Sequence, residues 1–383
     1  MMIDRRILTH FDFLLLFLIF PIIAVSFFLI NEANEILSIK QAIYIAAGFF
    51  LFWIIFFIPF RNLSKSISIF YWFCIILLVI VDIYGTAKLG AQRWIIIPGT
   101  GISLQPSEPV KVAILLMLAN LICHNPPPKN GYGWKDFLKI SFYIILPFLL
   151  ILKQPDLGTA LVVVIMGFGI LFLIGVNYKI WLSILIIVLV ASPLIYKSLH
   201  DYQRKRIHDF IAEKPSYHIR QSVITIGSGG LFGKSKEKST QTQLKFLPIA
   251  TSDFIFAYYV ERFGFVGAII LLGFYIGLIL HILSFSFINS RDYQLRVMSS
   301  GIAILIFVYM AVNIGMTIGL APVVGVPLPM FSYGGSSFIT FIVLFGILEN
   351  LLAFRFNFEY NSNPFKNINK KGPLAQLVRA LGS

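Results

Sequence analysis

The sequence predicts an all-α, polytopic integral membrane protein of about ten spanning helices with one large extracytoplasmic loop, and three observations predict it. Of 383 residues, 58% are hydrophobic and only 13% charged, more apolar side chains than a soluble core of this length can bury, so the surplus must face lipid. Apolar runs of spanning length recur along the chain with polar connections between them. Phe occurs 38 times and Tyr 16 times, a usage suited to helices that pack in hydrocarbon and anchor at its interfaces.

The first run, residues 12 to 30, follows Arg5 and Arg6 as a signal peptide would, but it is long and no A-x-A site follows, so it is expected to stay attached as a span. Further runs cover 40 to 60, 68 to 84, 106 to 123 and 137 to 153. Those at 158 to 176 and 179 to 198 are separated only by Asn177, Tyr178 and Lys179, and the last three cover 263 to 285, 299 to 319 and 332 to 353. An even number of spans puts both termini on one side. Arg5 and Arg6, Arg61 and Lys65, Lys129, Lys135 and Lys139, Arg291 and Arg296, and Lys366, Lys370, Lys371 and Arg379 all fall on that side, which the positive-inside rule makes cytoplasmic. Residues 199 to 262 then form a long, basic outer loop, a length that is commonly functional. Residues 1 to 360 are expected to make one membrane-embedded domain and 361 to 383 a disordered cytosolic tail.

The net charge of +14 does not imply nucleic acid, because Lys and Arg sit between apolar runs rather than on one water-exposed face. Anionic headgroups or a phosphate-bearing lipid suit that placement better. Cys74 and Cys123 have no second Cys nearby and read as packing residues. The six His show no regular ligand spacing, and His200, His208 and His218 read as solvated.

Five stretches carry possible chemistry. Gly90 to Lys111 joins the third and fourth spans, with Glu108 and Lys111 three apart so that on a helix they can pair; such intramembrane ions favour a site role over a purely structural pair. In Lys153 to Ala160, Asp156 stands just ahead of a span, where capping the helix and catalysis are about equally good readings. The large loop holds Asp201 to Ile207 and Arg220 to Lys234, whose Gly227, Gly229, Gly230 and Gly233 permit either close backbone approach to a ligand or a tight turn. In Phe246 to Gly267, Asp253 lies among Phe254, Ile255 and Phe256, where desolvation would raise its pKa toward that of a useful base; the competing reading is a cap on a re-entrant helix. Glu261 follows eight residues on, two helical turns away. Finally, Asn313 to Phe338 breaks two spans with Pro322, Pro327, Pro329 and a Gly pair, and broken backbone at membrane depth must be buried in protein or line a wet cavity. Ser332, Ser336 and Ser337 could there satisfy backbone groups locally.

In order, AQRWI with LQPSE and Lys111, QPDLGTA, YQRKRI with the IGSGG stretch, and SDFIF with LPMFSYGGSSF resemble the SEDS family of shape, elongation, division and sporulation proteins over nearly the whole chain. The resemblance implies a glycosyltransferase that polymerises lipid II into glycan strands at the outer face of the cytoplasmic membrane. It implies that Asp253 is the catalytic base toward the acceptor 4-hydroxyl, and that a chain on undecaprenyl pyrophosphate is the donor. Arg93, Lys111, Arg204 and Arg206 are the basic residues inside matched motifs that could meet the pyrophosphate, with Glu108 orienting Lys111 and with Asp156, Glu261 and Ser332 as further polar substrate-site residues. A divalent cation bridging pyrophosphate and an acid is compatible with this chemistry, though no ligand set declares one. The implied partner is a class B penicillin-binding protein within the elongation machinery. Length and a short N-terminal tail favour the elongation branch over the division branch.

The chain departs from the family pattern at two places. Ile249, Ala250, Thr251 and Ser252 replace a run that carries His in many relatives, and Arg262 stands where relatives often have a second Glu. Two other function classes compete: a lipid II flippase, which should distribute polar residues across the bilayer, whereas the identifiable clusters here are expected to gather on the outer half and in the outer loop, and a non-catalytic scaffold that recruits the penicillin-binding protein.

Overall fold

The computed structural model describes residues 10–58, 63–88, 91–96, 103–198, 204, 217–239, 250–288 and 292–354. The expected tail, Arg206 and much of the large loop lie outside the described residues. Helices α1 (Phe13–Ala33), α2 (Glu35–Phe56), α3 (Ser64–Tyr84), α4 (Ser107–His124), α5 (Trp134–Lys153), α6 (Leu157–Ile174) and α7 (Tyr178–Ser198) occupy the first seven apolar runs. After the shorter α8 (Tyr217–Ser228) come α9 (Ile255–Ile288), α10 (Tyr293–Thr317) and α11 (Gly335–Ala353), on the last three. Among the described residues, eight helices are long and apolar enough to cross a membrane. The other two predicted spans are helical as well: α5 carries Lys135, Asp136, Lys139 and Lys153, and the apolar part of α7 is the shorter Tyr178–Leu194. One small antiparallel sheet, β1 (Thr86–Lys88), β2 (Ala91–Ile96) and β3 (Ser103–Leu104), interrupts the helical pattern between α3 and α4.

Polar residues set the helix ends. Asp12 accepts from the amides of Leu14 and Leu15 and starts α1. Asn34, in extended backbone, closes α1 through its own N–H to the Ile30 carbonyl and opens α2 by accepting from Ile36 and Leu37 at 2.9 and 3.2 Å, so one side chain makes a tight helical hairpin. This cap starts α2 at Glu35, ahead of the apolar run predicted from residue 40. The bundle pairs α2 with α11, α9 with α10, and α10 with both α4 and α6. Helices α4, α10 and α11 are largely buried within it, whereas α1, α2 and α3 leave broad apolar faces for lipid.

Helix α9 departs most from the sequence reading, which began that span at residue 263. The helix begins at Ile255 and breaks at Gly264, where φ is +69°. Beyond the break, the amides of Phe265 and Val266 have lost their intrahelical acceptors and instead bond the carbonyls of Gly230 and Leu231 at 2.9 and 3.1 Å. Gly229 lies against the Val260 carbonyl and Gly233 against that of Arg262. The glycine-rich stretch is therefore a backbone-on-backbone seam that caps a broken span, which favours the structural side of the two readings of its glycines. Gly229→Ala should cost about 1–3 kcal/mol or more, because the new methyl meets main chain that cannot rotate away; a thermal midpoint equal to the parent's in the same detergent would refute the seam.

Candidate active site

The ends of α1, α4, α6, α9, α10 and α11 that carry Glu32, Glu108, Asp156, Asp253, Thr317 and Gly335 form one end of the bundle, called here the site end. Asp253 lies in the turn before α9 and keeps partial exposure. Its turn is held at three consecutive carbonyls. The Tyr333 amide donates to the Thr251 carbonyl at 2.8 Å, Ser332 Oγ to that of Ser252 at 2.7 Å, and Asn313 Nδ2 to that of Asp253 at 3.0 Å. Asn313, fully buried in α10, also donates to the Val326 carbonyl at 2.8 Å, and Ser332 Oγ accepts from the Leu328 amide at 2.8 Å. Two side chains thus tie the Asp253 turn to the broken Ala321–Met330 loop. That loop is pinned from below by Ser26 and Tyr275, whose hydroxyls each donate at 2.5 Å to the carbonyls of Phe331 and Pro329. Ser332 is placed to position Asp253; the structure gives it this structural bond rather than an open face.

Phe254, 2% exposed, joins Ala257 in a small apolar cluster with Ile226, Ala250 and Val323, which seats α8 over the turn. His218 is exposed, as the sequence reading expects, and its ring lies nearly parallel to that of Phe254 with 6.3 Å between centroids, on the α8 side of the turn. Burial raises the Asp253 carboxyl above its ordinary 3.8, opposed by a hydrogen bond from Ser252.

Of the two readings of Asp156, the hydrogen bonds bear out the helix cap. It caps α6, accepting from the Thr159 amide at 3.2 Å and hydroxyl at 2.9 Å, and it pairs with Arg93 at 3.4 Å while Gln105 Nε2 approaches at 3.4 Å. Arg93 also bonds the Pro155 carbonyl, which ties the small sheet to the start of α6. The α6 start in turn abuts the broken loop: a Cβ at Gly158 would lie 2.6 Å from the Val324 carbonyl. Gly325, next along, comes close to the Asp253 carboxylate, where a Cβ would be 3.7 Å from Oδ2. One loop therefore separates Asp156 from Asp253.

Glu108 and Lys111 do pair, at 2.8 Å, and both are buried, Lys111 completely. Lys111 also bonds Tyr309 OH, a partner from α10 that the sequence reading missed. Tyr309 lies within electrostatic reach of Asp156, so the two ion pairs are neighbours. Glu261 is fully buried in the first two turns of α9, between Tyr258 and Arg262. Arg262, where the family pattern has a second acid, grips Glu32 of α1 with Nε at 2.5 Å and Nη2 at 2.9 Å, and Tyr258 adds a third bond at 3.0 Å. Arg204 bonds the Lys197 carbonyl at the end of α7. The structure thus gathers Asp253, Ser332, Asp156 and Arg93 around the loop, holds the Glu108–Lys111 pair of α4 against Tyr309 of α10, and buries Glu261 next in sequence to Arg262 of the α1–α9 clamp. Asn313 was missed, although a lone Asn within an apolar span is a signal.

Among the described residues, no group of three or more His, Cys, Asp or Glu is gathered to hold a metal. Polar groups also meet at the opposite end: His281 lies 2.5 Å from Asp12, whose amide donates to the buried Glu349. The buried polar clusters therefore do not all gather at one end.

A family model for cell cycle proteins, covering FtsW, RodA and SpoVE, matches residues 1–357. The chain is 64% identical over its full length to the whole of peptidoglycan glycosyltransferase MrdB of Helicobacter pylori strain 26695. It is 42% identical to MrdB of Escherichia coli K12, over 74% of this chain and 77% of that one. Its fold matches a chain of a peptidoglycan synthase complex, studied for how it coordinates polymerization and crosslinking, with a TM-score of 0.79 at 27% identity, over 90% of this chain and 98% of that one. It also matches the rod shape determining protein RodA of Thermus thermophilus at 0.68 and 27%, with the same coverage.

Proposed function

The chain belongs to the FtsW, RodA and SpoVE family of cell cycle proteins, and from that premise we propose that it is a multi-pass peptidoglycan glycosyltransferase polymerising lipid II for cell elongation. The observation that carries the mechanism is the Asp253 turn, anchored at three consecutive carbonyls while the residue as a whole is only partly buried. A base must be held still relative to the acceptor, and a carboxylate whose backbone cannot shift meets that need.

In this reading, Asp253 accepts the proton of the acceptor 4-hydroxyl as that oxygen bonds the anomeric carbon of the donor. The bond from that carbon to the undecaprenyl pyrophosphate breaks with its electron pair, and direct displacement inverts an α- into a β-linkage. Arg93 and Lys111 each already face a carboxylate, so the two pairs are formally neutral together. They serve best as oriented dipoles beside the leaving pyrophosphate, with Arg204 and Arg206 supplying net positive charge. Glu261 steadies the clamp that holds α9. The site end faces the outside of the cytoplasmic membrane, both termini lie in the cytoplasm, and a class B penicillin-binding protein is the partner, as the synthase-complex relative supports.

Purified protein with its co-purified partner should convert lipid II into glycan strands. A folded preparation that yields none, yet moves fluorescent lipid II across vesicle bilayers, would favour the flippase. The raised carboxyl of Asp253 also sets the pH response. A base works only when deprotonated, so the initial rate should fall as pH drops through a value above 3.8, and a rate that stays level down to the ordinary aspartate range would remove Asp253 as the base.

A further inference from the structure

Leu231 and Phe232, between α8 and the basic stretch that follows it, are 63% and 81% exposed although neither belongs to a spanning helix. Two adjacent large apolar side chains held out from a fixed backbone need a nonaqueous neighbour. Their depth is set by the hydrogen bonds already described. The Gly230 and Leu231 carbonyls accept from Phe265 and Val266, the first residues of the span beyond the Gly264 break. Phe265, Val266, Ile269 and Ile270 are all exposed along that span, so Leu231 and Phe232 continue its outward apolar stripe at its upper edge. The polar boundary stands at the same level, marked by the Glu32–Arg262 pair and by the exposed Lys236 and Lys238 that follow the apolar pair in sequence. Apolar side chains below and lysines above are the arrangement of a segment lying in a membrane interface.

We propose that Leu231 and Phe232 are an interfacial wedge inserted into the bilayer leaflet at the site end, with Lys236 and Lys238 on the aqueous side of the anionic phosphate headgroups. The glycine seam transmits that anchorage: Gly229 and Gly233 abut the α9 main chain, so the wedge fixes the height of α8, and with it the roof packed on Phe254 beside Asp253. The reacting group is thereby held at headgroup level, independently of which lipid-linked molecule it acts on.

The test places a nitroxide label at Phe232→Cys in full-length protein carrying Cys123→Ser; Cys74 is buried and stays unlabelled. The protein is reconstituted in vesicles of phosphatidylethanolamine and phosphatidylglycerol. Labels at Ile270→Cys, on the exposed stripe of α9, and at Lys236→Cys, beyond the boundary, give the lipid and water references. Accessibility to oxygen and to a water-soluble nickel complex is then compared. Oxygen-rich, nickel-poor behaviour at 232, close to that at 270, is the expected result. Nickel accessibility like that at 236 would overturn the wedge, and low access to both reagents would overturn it in favour of a protein neighbour.

Discussion

Asp253→Asn should leave the protein folded and lower lipid II polymerisation about 10² to 10⁴-fold, the usual contribution of a general base. Asparagine keeps the size of the side chain and cannot accept the acceptor proton at a useful pH. The three bonds that anchor the turn all go to main-chain carbonyls of Thr251, Ser252 and Asp253, so the substitution leaves every one in place. Removing a partly buried carboxylate also relieves desolvation, so the thermal midpoint should hold or rise. Strand synthesis is read by gel separation of products from labelled lipid II, beside a thermal melt of the same preparation. Equal strands from both proteins would remove Asp253 from the chemistry and revive the scaffold reading.

Lys111→Met should have the largest effect on stability. Its ammonium has no exposure, and its partners are Glu108, three residues away on α4, and Tyr309 from α10. Deleting one member of a buried pair strands the other, a loss of about 3–5 kcal/mol. Among the described residues Glu108 Oε2 has no hydrogen-bond partner, so none of them is a spare donor in place to compensate. The double variant Lys111→Met with Glu108→Gln removes both charges and should regain much of the lost midpoint. If the pair only fixes the start of α4, the double variant recovers polymerisation together with stability. If the pair also orients the leaving pyrophosphate, stability returns and the rate does not. A single variant as stable as the parent would show that the pair is not desolvated as described.

The spans were legible because the signal for them is local and redundant. Each needs only a run of apolar side chains, and the runs from residue 12 to 353 all became helix. The break in α9 was less legible, since Gly264 resembles the other glycines of the spans. Its role depends on Gly230 and Leu231 arriving to cap the freed amides. The polar residues divide in the same way. The Glu108–Lys111 pair could be read from a spacing of three on one helix. Arg262 could not be matched to Glu32, 230 residues earlier, because nothing in either neighbourhood encodes the other. The departure of Arg262 from the family pattern looked like a lost acid, yet the fold supplies one from α1.

The sequence alone therefore determined that the chain fills a membrane and roughly where its spans run, since lipid burial acts through neighbours along the chain; it left the early start of α9 at Ile255, the short α8 and the small sheet to the fold. The tertiary structure alone decided which polar groups meet: Asn313 and Ser332 with the Asp253 turn, Tyr309 with Lys111, Arg93 with Asp156. The reason is that a buried polar group must be satisfied by whichever helix packs against it, and that choice is made by the packing of the whole bundle rather than by any segment of it.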